Sequence, residues 1–195
     1  MRKLADINVL EDGETQERIV RDSIVVLVVG LVLSLVRGAL GPSEGWRSLI
    51  DLTWWGALFL AYAVSLPVHE LVHAAAFTLL VPGHRVRFGH TDWMLYAGCP
   101  GALIPRRRML VVLLAPTVVV TAALLMGTAA CGRPVLGWLL ATLHLSGCVG
   151  DWLMVRAIVG TPACTHVEDT DFGVTLLADD DADPGACSGL ASSPK

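Results

Sequence analysis

Apolar residues in this chain are gathered into long runs instead of recurring at the spacing of a soluble helix or strand. Four of them, at 23–40, 52–81, 109–131 and 135–155, are long enough for membrane-crossing helices, which need about 17–25 residues at about 1.5 Å rise each. The first is interrupted only by Arg37, whose aliphatic stem lets its charge reach the interface. The second opens on Trp54 and Trp55, side chains suited to the headgroup level, and its ionisable residues are His69, Glu70 and His73. The third holds Pro116 and no charge; the fourth holds His144 and Asp151 and is closed by Arg156.

Between the second and third runs, 82–108 is too polar and too broken by glycine and proline to span. Alternation at Val86 and Phe88, and again at Leu95, Ala97 and Leu103, predicts a strand pair or re-entrant hairpin there. The expected architecture is all-α: a polytopic membrane protein of about four helices, with a cytoplasmic N-terminal segment at 1–22 and a small cytoplasmic hairpin insert. The membrane domain would occupy 23–177. The end, 178–195, is rich in Asp, Gly, Ser and Pro and is expected to be a disordered tail.

Composition agrees with lipid as the main solvent. Of 195 residues, 54% are hydrophobic and 16% charged, against roughly 25% charged in a typical soluble protein, and the mean hydropathy is +0.62. A net charge of -4 offers no basic footprint, so no nucleic-acid partner is expected. The five cysteines form no CxxC pair and, being odd in number, no closed disulfide framework. Residues 1–22 carry ten charged side chains, unlike a cleaved signal peptide, so the first apolar run should stay in the mature chain. Counting Lys and Arg along the five polar segments gives four, two, five, one and two, or eleven against three for alternate segments. The positive-inside bias then places both termini and the Arg106 to Arg108 loop in the cytoplasm of a bacterial-type plasma membrane.

Chemistry is concentrated in the second run, where His69-Glu70-Leu71-Val72-His73 matches HExxH. Two histidines four residues apart share a helical face and can bind zinc, while the glutamate acts on water as general base. Each ionisable residue inside a span costs roughly 2.5–3.5 kcal/mol on insertion scales. Three in five positions call for compensation, and Zn2+ supplies it. The alternative is a packing or hydrogen-bonding network without metal.

A third protein ligand would leave one position for water, and Asp151 is the candidate. Spans two and four run in the same direction; His73 lies eight residues before Val81 and Asp151 nine before Gly160, which puts both at nearly one depth. Ser146, Gly147 and Gly150 would let the helices approach closely. Asp151 could instead be an interfacial residue near Arg156. On one continuous helix His144 would lie about 10 Å farther along the axis. That is too far for a ligand, so it is a candidate for substrate contact or an oxyanion role, or a packing histidine. Cys148 is an alternative soft ligand or a small core residue. His84 and His90 fall in the polar insert, where exposure is expected. Pro67 frees a backbone carbonyl one turn upstream, which could kink the helix and admit water.

The chain resembles a bacterial family of zincin membrane peptidases known mainly from sequence, and more distantly the site-two protease class of intramembrane metallopeptidases. The resemblance is carried by PVHELVHAAAF at Pro67 to Phe77, by Tyr96 and Cys99 leading to RRRMLVVLLAP at Arg106 to Pro116, by GCVGD at Gly147 to Asp151, and by HVEDTDFGV at His166 to Val174. It implies zinc held by His69, His73 and Asp151, with Glu70 as catalytic acid and base. Where such families often place Asn upstream of the third ligand, this chain has His144. The implied activity is zinc-dependent hydrolysis of peptide bonds in membrane or juxtamembrane substrates, with the lipid bilayer and a membrane protein or peptide as partners. The rival expectation is a non-catalytic metal- or haem-binding membrane protein using His69, His73 and His144, for which Glu70 would have no purpose.

Overall fold

The computed structural model describes residues 1–9, 11–40, 50–90 and 95–180. Its elements run β1 (Arg2–Asn8), α1 (Gly13–Leu40), α2 (Leu52–Leu80), β2 (Arg87–His90), β3 (Leu95–Gly98), β4 (Leu103–Pro105), α3 (Arg106–Ala130), α4 (Pro134–Gly147), α5 (Val149–Gly160), β5 (His166–Thr170) and β6 (Gly173–Ala178). Helices dominate, yet the expectation of an all-α fold is corrected by an antiparallel sheet of order β1-β6-β5-β4. Strands β1 and β6 come from opposite ends of the sequence, and such non-local pairing leaves little trace in local periodicity.

Helices α1, α2 and α3 are each long and apolar enough to cross a membrane. Their apolar residues face outward to an extent that water would penalise: Val25, Val28, Val32 and Leu35 of α1, Phe59 and Leu60 of α2, and Val118 and Val119 of α3 are all exposed. Local chemistry sets the helix ends. Asp12 accepts the Thr15 amide in the first turn of α1, and Asp51 accepts the Thr53 amide at the start of α2. Pro134 opens α4, where its missing N–H costs nothing.

The run expected as one continuous fourth span is broken. α4 and α5 meet at Cys148 with a bend of 54°, and the Cys148 amide turns back to the Leu145 carbonyl at 3.1 Å. Gly147 and Gly150 flank the break and weaken helix propagation on both sides.

The four-stranded sheet lies at one end of the bundle, because β1 leads into α1, β4 runs directly into α3, and α5 leads into β5. Phe77 and Val81 of the α2 terminus, Ile104 of β4, Val112 of α3, Val167 of β5 and Leu176 of β6 share one buried core there. A smaller core of Trp54, Leu58, Leu136 and Leu140 fills the opposite end between α2 and α4. α1 packs on α4 through Gly30, where an added Cβ would stand 2.4 Å from Thr142 Cγ2.

Two arginines of the first turn of α3, expected as part of a loop, close helix ends. Arg106 donates to the carbonyls of Val159 at 3.2 Å and Pro162 at 3.3 Å, and Arg108 to that of Leu80 at 3.0 Å. Cations at these C-termini oppose the helix dipoles and satisfy carbonyls the helices leave unpaired.

The hairpin expected at 82–108 forms as β2 paired with β3; its tip, 91–94, lies outside the described residues. β4, from the same insert, joins the larger sheet instead. Of the tail expected to be disordered, Ala178 closes β6, and 181–195 lie outside the described residues.

Candidate metal centre

α2 runs unbroken through Pro67 and turns His69 and His73 toward a common point, their Nε2 atoms 3.1 Å apart. The first turn of α5 presents Asp151, whose Oδ2 stands 3.2 Å from His69 Nε2 and 3.5 Å from His73 Nε2. The break at Cys148 places that carboxylate at a helix N-terminus, where the dipole favours negative charge. His73 is buried, and its Nδ1 faces the Val112 carbonyl of α3 at 3.0 Å. A proton held on Nδ1 by that carbonyl leaves the Nε2 lone pair facing His69 and Asp151.

Zinc bonds to imidazole nitrogen and carboxylate oxygen are roughly 2.0–2.2 Å, so three such ligands of a tetrahedral ion stand about 3.3–3.5 Å apart. The 3.1, 3.2 and 3.5 Å edges observed fit that triangle. The donor types, two imidazoles and one carboxylate, are those of sites that leave a fourth position for water. Among the described residues one further group gathers ligand atoms, His69, His144 and Cys148. It shares His69, and its Sγ atom lies 3.9 Å from His69 Nδ1 and 3.8 Å from His144 Nε2.

The structure places His144 beside His69. It is buried, with Nε2 3.1 Å from His69 Nδ1 and Nδ1 3.1 Å from Thr121 Oγ1 of α3. Both ring nitrogens therefore meet protein atoms. Cys148 is fully buried beside it, while His84 and His90 are exposed.

Glu70 points toward the hairpin, where its carboxylate meets the backbone amide of Ala97 in β3. The turn after β3 is held by a residue to which sequence reasoning gave no role. Asp169 of β5 accepts the Cys99 amide through its side chain, donates its own amide to the Ala102 carbonyl at 3.1 Å, and receives the Gly101 amide on its carbonyl at 2.8 Å. Burial pushes its carboxyl pKa up to about 6, against the lowering effects of the Cys99 amide and of His73. The stretch from His166 to Val174 contains this acid, but nothing in its local pattern separates it from Glu168 or Asp171. Thr121 and the Val112 carbonyl were equally silent, one a common helix residue and the other backbone.

No curated protein and no solved structure matches the chain. A family profile does match, over residues 62–166, and the matched stretch contains His69, Glu70, His73 and Asp151 together with the hairpin and α3. The family is described as "Putative zincin peptidase", and a match over more than half of the sequence means that this chain belongs to it.

Proposed function

We propose that the protein is a zinc-dependent endopeptidase working within the membrane, on peptide bonds of membrane or juxtamembrane segments. His69, His73 and Asp151 are the zinc ligands in this reading, and Glu70 is the general base. The observation that carries it is the triangle of ligand atoms with 3.1–3.5 Å edges, built between helices suited to lipid. Bound zinc supplies Lewis-acid activation of water and of the scissile carbonyl. Glu70, next to the first ligand in sequence, takes a proton from the attacking water and delivers it to the leaving amine. The Ala97 amide faces the Glu70 carboxylate, and Val112 fixes the His73 tautomer.

Orientation follows from charge. Met1 and Asp180 are paired at 2.7 Å, so the start of β1 and the residues just after β6 lie together beside the sheet. Arg106 to Arg108 stand at the same end of the bundle. The positive-inside bias assigns that end to the cytoplasm.

The test is Glu70→Gln in the full chain. The variant should keep about one zinc per chain and lose proteolysis, so that an uncut membrane protein accumulates relative to wild-type cells. Cleavage at the wild-type rate by Glu70→Gln would reject the mechanism.

A further inference from the structure

A histidine binds metal only through a nitrogen that carries no proton, so the partner of its other nitrogen decides which one is offered. His73 has the Val112 carbonyl for this purpose. His69 Nδ1 instead faces His144 Nε2 at 3.1 Å and, at 3.9 Å, the sulfur of Cys148. His144 can accept a proton on Nε2 only if its own proton sits on Nδ1, and Nδ1 faces Thr121 Oγ1 at 3.1 Å. A metal on His69 Nε2 selects one direction for this chain: His144 donates to Thr121, and His69 donates to His144. The bend at Cys148 makes this arrangement reachable, since it lets α4 approach His69 from its Nδ1 side while α5 brings Asp151 to its Nε2 side.

We infer that His144, backed by Thr121, is the positioning residue of this centre, fixing the His69 tautomer and ring orientation so that Nε2 faces the metal. This replaces direct substrate contact as its role, and it rests on the zinc reading above. It also accounts for the burial of His144 at 3% exposure, which leaves no face for substrate. A rival use of the same atoms, a metal seated among His69 Nδ1, His144 Nε2 and Cys148 Sγ, would leave His69 Nε2, 3.1 Å from His73 Nε2 and 3.2 Å from Asp151 Oδ2, outside the ligand set.

The experiment measures Zn2+ affinity of the full chain in detergent micelles by competition with a chromophoric chelator, so no substrate is required. His144→Ala should weaken zinc binding roughly 10–100-fold, the usual effect of losing an outer partner of a metal-bound histidine. His144→Gln, whose amide oxygen can accept the His69 proton, should recover part of that loss. Thr121→Val, nearly isosteric, should weaken binding by about 2–10-fold, one hydrogen bond's worth, and keeps the test decisive if His144→Ala does not fold. Melting of the zinc-free variants shows whether packing alone has changed. Zinc affinity within about twofold of wild type in both His144→Ala and Thr121→Val, against lost binding in His69→Ala and His73→Ala, would overturn the inference and leave the zinc reading intact. Undiminished zinc in His69→Ala and His73→Ala would instead remove the zinc reading itself. A thiolate-to-metal absorption band in the Co2+-loaded protein that vanishes in Cys148→Ser would also overturn it, because His69 would then ligate through Nδ1.

Discussion

Removing the charge at Asp169 should change the pH dependence of stability in a calculable way. The residue is 7% exposed, and an added Cβ on Gly98 would lie 2.8 Å from its Oδ2, so the carboxylate is shut in by protein. Burial raises its pKa from 3.8 to about 6. A shift of about 2 units at 1.36 kcal/mol each corresponds to about 3 kcal/mol. The folded protein holds this proton more tightly than the unfolded chain does. Stability from this group is therefore fully present below about pH 4, is lost as pH rises through about 6, and stays lost above it. Asp169→Asn keeps an oxygen to accept the Cys99 amide but has no charge to bury. Thermal unfolding of zinc-free protein in detergent, from pH 4.5 to 8, should show the wild type losing several degrees relative to the variant. At pH 7.5 the variant should be the more stable of the two by on the order of 1–3 kcal/mol. Parallel pH profiles for the two proteins, or a variant that is less stable at pH 7.5, would refute the reasoning. The ionised carboxylate is worth its cost at neutral pH if it holds the Cys99 to Ala102 turn, since the strand before that turn carries the Ala97 amide that faces Glu70.

Two further outcomes follow from the geometry. Asp151→Asn replaces the anionic ligand by a neutral amide and should drop zinc content well below the roughly one ion per chain expected of wild type; near-full occupancy by elemental analysis would remove Asp151 from the ligand set. Gly173→Ala should destabilise the fold by about 1–3 kcal/mol, because Gly173 has φ +152 and its Cβ would lie 2.0 Å from the Ile7 carbonyl oxygen. Limited proteolysis should then cut the N-terminal strand faster, and an unchanged cleavage rate would count against the β1–β6 pairing.

The sequence by itself determined which segments suit lipid, because apolar runs of sufficient length are a local property that no tertiary contact needs to supply. It also placed His69 and His73 together, since a four-residue step returns to one helical face. Equal depth of His73 and Asp151 was legible too, as both distances are counted from span ends. The 87–98 hairpin was announced by alternation and glycine. Only the tertiary structure decided the rest. The sheet pairs Arg2–Asn8 with Gly173–Ala178 across nearly the whole chain, and the strand at 2–8 is too charged to read as one in isolation. The bend at Cys148 arises where small residues weaken the helix and packing chooses the angle, and the contact of His144 with His69 is legible only once the helices are packed. Asp169 and Thr121 acquire meaning only from what faces them, an amide in one case and an imidazole in the other. A residue's partner depends on which helices and strands meet, and local pattern does not carry that information.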